Sequence, residues 1–237
     1  MVHPRDLWPV WPEAATPALA RPERDTKDIL DGLAVLLESP LIKDIRDTFV
    51  AFPGSSLPIA LNKKQTACKK WAVEHLLAVT GGRIDRVVIL AGWYGVLAAM
   101  LLHDRRFSIG EVTVIDIDPG CREVALSLNA THVASGRFRF VEADIMDLDY
   151  ATLALGRDDV LVNTSCEHLP AFRTWVGAAP LEPLLVLQSN DYDAIPEHVS
   201  VMASLEAFRE AAGLGDVRFA DTLELDSYRR FMLIGRK

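Results

Sequence analysis

The run Asn163-Thr164-Ser165-Cys166-Glu167-His168 sets a carboxylate beside an imidazole. Such a pair can take up a proton and pass it on once burial tunes it, so Glu167 and His168 are candidates for acid–base work. The same residues also read as a helix cap, with Thr164, Ser165 and Glu167 preceding a helix near Pro170, and the two readings stay open. Asn163, Ser189 and Tyr192 join Glu167 as candidate reactive-end residues, because Gln188-Ser189-Asn190-Asp191-Tyr192 is unusually polar after an apolar run. A turn accounts for Asn190 and Asp191 alone. Cys166 and His168 hint at a metal or a Cys/His nucleophile, but no second pair stands at ligand spacing, so no metal is expected. By default His75, His103, His132 and His198 take surface or helix-end roles.

A second group surrounds Ala91-Gly92-Trp93-Tyr94-Gly95. Gly92 and Gly95 let a backbone come close to a ligand, although the full GxGxxG pattern is absent. Asp116 follows Gly95 by 21 residues, near the spacing at which an acidic side chain meets a ribose held over a glycine turn. Asp116 is equally a helix cap ahead of Pro119. Ala143-Asp144-Ile145 completes the set.

These residues matter together only if one architecture brings them to one edge. Short β-branched runs at residues 86–90, 112–115, 139–142, 160–163 and 184–187 predict strands. Apolar periodicity predicts helices at 96–103, 121–131, 170–176 and 200–212 between and after them. Strand–helix alternation builds a parallel, doubly wound sheet, whose ligands sit at the carboxyl ends of the strands. Residues 217–225 and 228–235 are separated by too short a turn to be anything but antiparallel. Ahead of this body, helical spacing predicts two amphipathic helices over residues 25–49, broken at Pro40, and another over 64–79. Five prolines within residues 1–22 predict an extended arm carrying Trp8 and Trp11. The expected division is an N-terminal arm and helical cap over 1–82 and a ligand-binding domain over 83–237.

Composition bounds the rest. The 237 residues are 50% hydrophobic and 24% charged, which describes a globular chain able to bury a large core. A formal charge of −8 works against nucleic acid and anionic membranes, so the expected partner is a small molecule, with Lys63, Lys64, Lys69 and Lys70 left as a candidate local basic patch. Three scattered cysteines and no long apolar stretch lead to the expectation of a reducing cytoplasm. Monomer and homodimer both stay open.

With the glycine turn, Asp116, Asp144 and the polar run after the fourth strand, residues 84–237 resemble the class I S-adenosylmethionine-dependent methyltransferases. The resemblance implies an α/β, Rossmann-like fold with a seven-stranded, mostly parallel sheet closed by an antiparallel pair, behind an N-terminal helical cap. It implies S-adenosylmethionine as cofactor or substrate. Gly92, Trp93, Tyr94 and Gly95 would face its methionine part, with Trp93 and Tyr94 beside the sulfonium. Asp116 would face the ribose, Ile117 the adenine face, and Asp144 with Ile145 the adenine edge. The turn departs from the family in lacking the usual acidic residue. Within the fold, AGWYG, NTSCEH and QSN together resemble azetidine-2-carboxylate synthases, which implies cyclisation of S-adenosylmethionine through its own α-amine with release of methylthioadenosine. Asn163, Ser189 and Tyr192 would then hold the amine and carboxylate, and Glu167 would receive the proton. A small-molecule N- or O-methyltransferase, with Glu167 or His168 as base, is the alternative.

Overall fold

A computed structural model describes residues 21–237; the proline-rich arm with Trp8 and Trp11 lies outside the described residues. Two compact units divide between Gly54 and Ser55. In the first, α1 (Arg21–Leu36) packs on α2 (Pro40–Ala51). Ser39 caps α2 by accepting the Ile42 N–H at 3.4 Å, and Pro40 supplies a pre-set first helical residue. Arg46 reaches Asp31 at 2.6 Å, tying the two helices together.

In the second unit α3 (Leu57–Ala60) and α4 (Lys63–Thr80) precede β1 (Arg83–Leu90), α5 (Val96–His103) and β2 (Ser108–Asp116). Then come α6 (Arg122–Leu128), α7 (Ala130–Ala134), β3 (Phe138–Glu142), β4 (Val160–Asn163), α8 (Phe172–Ala178) and β5 (Leu184–Asn190). The chain closes with α9 (Leu205–Ala212), β6 (Asp216–Glu224) and β7 (Arg229–Arg236). The sheet order is β3-β2-β1-β4-β5-β7-β6. Strands β1 to β5 pair in parallel, and β7 enters antiparallel to both β5 and β6. The expected architecture is therefore present, with strand order reversing between β1 and β4.

Three details differ from the sequence expectation. The unit boundary falls near 54, not 82, because α4 packs on α5, β6 and β7 and buries Cys68, Ala72, Val73 and Leu76. The helix expected over 121–131 breaks at Asn129, whose buried amide donates to the carbonyls of Ala125 at 3.0 Å and Gly95 at 3.4 Å. The helix expected from 200 starts at Leu205, where Ser204 caps it by accepting the Ala207 N–H. No helix among the described residues is long and apolar enough to cross a membrane.

The core on one sheet face gathers Leu161, Leu185, Leu233, Trp175 and Phe208. Phe208 is wholly buried there against Phe172, with ring centroids 5.6 Å apart. Phe208→Ala leaves a cavity that close packing cannot fill, and urea unfolding should show a loss of about 3–5 kcal/mol.

Candidate active site

After β1 the backbone turns sharply, with Ala91, Trp93 and Gly95 at φ of 47°, 50° and 69°. Two of the three carry side chains, and each costs about 1 kcal/mol in the left-handed region. Asp116, at the end of β2, compensates: its carboxylate accepts the Trp93 N–H at 2.7 Å and the Asp118 N–H at 3.0 Å. Gly92 is required for a different reason, since a Cβ there would lie 2.7 Å from Val114 Cγ1. The strained turn and its carboxylate anchor stand at the carboxyl edge of the parallel sheet, the edge at which open sheets of this kind bind their ligands. Ile117, a large aliphatic residue, stays 63% exposed beside it, and Trp93 stacks on Tyr94 at 4.8 Å.

This turn forms one wall of a cavity of about 660 Å³, a volume within the range of small-molecule sites. Gly92, Trp93, Tyr94, Asp116 and Ile117 line that wall; Glu167, His168, Asn190, Tyr192 and His198 line the opposite one. Lys64 and Lys69 of α4, with Tyr228 and Arg230, make a third.

Five candidates lie outside this lining. Gly95 begins α5. Asp144 accepts the Met146 N–H at 2.8 Å. Ile145 packs in the core, where the Tyr150 hydroxyl donates to its carbonyl at 2.7 Å. Asn163 and Ser189 are fully buried, each keeping one polar side-chain atom, Nδ2 and Oγ, without a hydrogen-bond partner. Gln188, Ser189 and Asn190 belong to β5 itself, because β7 pairs with it through Asn190↔Arg230, beyond the end of β4. The expected post-strand loop is thus three residues shorter, and of the five-residue run Asn190 and Tyr192 line the cavity.

The opposite wall is organised by a residue that the sequence reading missed. Arg230, 7% exposed, donates to Glu167 Oε1 at 2.7 Å, to Gln188 Oε1 at 3.3 Å and to the Thr164 carbonyl. Asn190 adds a second donor to the same Glu167 oxygen at 2.7 Å. The other oxygen, Oε2, is buried and has no partner. His168 and His198 meet edge to face at 4.7 Å. His198 Nδ1 bonds the Tyr192 carbonyl, which can only accept, so Nδ1 is the donor in that bond.

Donor atoms of Glu167, His168 and His198 lie within 4.8 Å of one another, so the fold supplies the second histidine that sequence spacing could not show. The guanidinium already on Glu167 opposes a divalent cation there, and the trio suits proton handling. Desolvation, with His198 and Arg230 nearby, holds His168 below the usual imidazole value, so neutral pH leaves it able to accept a proton. Burial, reinforced by Arg230, brings Lys69 down to about 8. Burial also pushes the Cys166 thiol up, which makes it a poor nucleophile.

Two outcomes follow from these charges. Arg230→Met strands the Glu167 carboxylate in a buried site and should cost about 3–5 kcal/mol in urea unfolding. Lys69, charged below its pKa and neutral above it, should lose its proton between pH 7 and 9 in competitive amine labelling, against about 10.4 for an ordinary lysine.

No family model and no curated protein matches the chain. Solved structures do match. The N-terminal domain of EvdMO1 with S-adenosylhomocysteine bound superposes with a TM-score of 0.55 at 14% identity, covering 77% of this chain and 85% of that one. N-methyltransferase NodS from Bradyrhizobium japonicum WM9 gives 0.53 at 15%, over 72% and 97%. Magnesium protoporphyrin IX methyltransferase from Synechocystis PCC 6803 with bound S-adenosylhomocysteine gives 0.54 at 15%, over 84% and 88%. The chain has the Rossmann-like fold of class I S-adenosylmethionine-dependent methyltransferases.

Proposed function

We propose that this chain is an S-adenosylmethionine-dependent enzyme that moves the methyl group to a nitrogen or oxygen of a small acceptor. The observation that carries the reading is the continuity of one cavity from the strained turn with Asp116 and Ile117 to the cluster of Glu167, His168 and His198. The first half fits the cofactor. Asp116 retains acceptor capacity toward ribose hydroxyls beyond its two backbone bonds, Ile117 offers an apolar cover for adenine, and position 92 presents bare backbone, since a Cβ there would strike Val114. Trp93 and Tyr94 present aromatic surface on which a sulfonium is stabilised. Bound there, the cofactor supplies an electrophilic methyl carbon.

The second half handles the acceptor. His168, favoured in its neutral form, takes the proton that the nucleophile loses. Glu167 cannot swing, because Arg230 and Asn190 hold one of its oxygens, so its free oxygen keeps a fixed place for an N–H or O–H. Fixing donor and acceptor in one geometry removes much of the entropic cost of a bimolecular step.

Intramolecular cyclisation to azetidine-2-carboxylic acid is the second reading. It is favoured by the unpartnered atoms of Asn163, Glu167 and Ser189 near the ends of β4 and β5, since buried polar groups without partners are rare and often mark ligand contacts. Methyl transfer stands ahead because Asn163 and Ser189 do not line the cavity.

Mass spectrometry of the protein with S-adenosylmethionine, alone and with a panel of amine, phenol and acid acceptors, separates the two. S-adenosylhomocysteine with a methylated acceptor is the expected product; methylthioadenosine with a four-carbon cyclic amino acid in the acceptor-free sample would establish cyclisation instead. Asp116→Ala should weaken S-adenosylhomocysteine binding by about tenfold or more in calorimetry. His168→Ala should leave that affinity within about twofold while slowing transfer by about 10²–10⁴.

A further inference from the structure

The cavity is positively charged on a chain whose formal charge is −8. Lys64, Lys69 and Arg230 line it against Asp116 and Glu167. Arg230 is paired with Glu167, and the Asp116 carboxylate faces the backbone N–H groups of the turn on a different wall from the lysines. The two lysines are left over. Lys69 Nζ donates to Gln65 Oε1 at 2.7 Å, and Lys64 Nζ donates to Ser227 Oγ at 2.6 Å and lies 5.6 Å from the centre of the Tyr228 ring. Among the described residues neither lysine has a carboxylate within ion-pair distance, whereas their neighbours Lys63 and Lys70 pair with Asp226 and Glu74.

A partly desolvated ammonium without a counter-ion is a cost to the folded chain that an anionic ligand removes. The cofactor assigned above does not remove it on balance. Its ammonium offsets its carboxylate, and its sulfonium adds one more positive charge to the same cavity. The missing negative charge must come with the other molecule. The wall around the lysines also offers flat apolar surface, since the Tyr192 and Tyr228 rings lie 5.6 Å apart and both face the cavity.

We propose that Lys69, assisted by Lys64, binds a carboxylate on the acceptor, so that the substrate class is small organic acids. This rests on the methyl-transfer reading. It places the acid against α4 and leaves the reacting nitrogen or oxygen of the same molecule toward His168 and Glu167. The geometry makes charge a selection rule: a neutral analogue of equal shape leaves Lys69 as unpaired as it was.

The test uses the full chain loaded with S-adenosylhomocysteine and two fluorine-labelled probes of similar shape, 4-fluorobenzoate and 4-fluorobenzyl alcohol, followed by ¹⁹F NMR line broadening. The acid should bind about fivefold to tenfold tighter than the alcohol. Lys69→Met should abolish that preference and Lys69→Arg should retain it, with S-adenosylhomocysteine affinity unchanged by calorimetry. Lys64→Met, a change on the same wall outside the buried network, should reduce the preference in part, and it serves as the second variant if Lys69→Met does not fold. Equal binding of both probes, binding of neither, or a preference that survives Lys69→Met would overturn the proposal. So would a Lys69→Met protein that binds S-adenosylhomocysteine tenfold more weakly but methylthioadenosine normally, since Lys69 would then hold the cofactor's own carboxylate. If the unaltered protein binds no S-adenosylhomocysteine, the cofactor reading fails by itself, and the charge preference is still read on the unloaded protein.

Discussion

A guanidinium taken out of water must be met by a carboxylate, and at the carboxyl edge of this sheet Arg230 is met by Glu167. Much else follows from that pair. Arg230 sits at the start of β7, Asn190 at the end of β5, and Glu167 in the loop after β4. Three segments that share no local sequence are therefore clamped at one point. The clamp fixes the wall on which His168 and Tyr192 stand, and it leaves one Glu167 oxygen without a partner. Replacing such a pair with apolar residues can be neutral for stability, so its value here lies in placing charge at the edge of a cavity.

The facing wall depends on a different economy. Asp116 holds a turn in which Ala91 and Trp93 adopt backbone angles that side chains disfavour. The carboxylate that the resemblance assigns to a ribose is thus also the group that keeps the turn in shape. In the proposed reading one residue serves both structure and ligand, because both require an anion at the spot where backbone N–H groups converge.

Most of the fold was legible because each cause is local. Alternating β-branched runs and helical spacing located β1 to β5, and the short link before the last strand required an antiparallel pair. Of the site, Asp116, Gly92, Trp93, Ile117, Glu167 and Tyr192 were readable because they follow strands whose ends could be placed. Arg230 was not, and Lys64 and Lys69 were legible only as members of a candidate basic patch with Lys63 and Lys70. Arg230 looks like any charge beginning a strand until the register sets it across from Asn190. The lysines look like the solvated face of a helix until α4 is packed against the sheet. His198 escaped for the same reason, being 30 residues from His168 in sequence and in ring contact with it in space. The extension of β5 through Gln188-Ser189-Asn190 was hidden because strand length there is set by the partner strand.

The position of β7 has a consequence for how the molecule is made. The sheet's sixth neighbour is its last strand in sequence, inserted between β5 and β6. A chain leaving the ribosome can pair β1 with β2 and β4 as soon as they emerge, yet β5 keeps an open edge and Glu167 keeps an unanswered charge until β7 arrives. Non-local pairing of this kind is slow, and an open edge is exposed to wrong partners in the interval. Arrival of Arg230 at Glu167 and covering of the β5 edge are therefore one event, so a nascent chain completes that wall of its cavity as it loses an open strand edge.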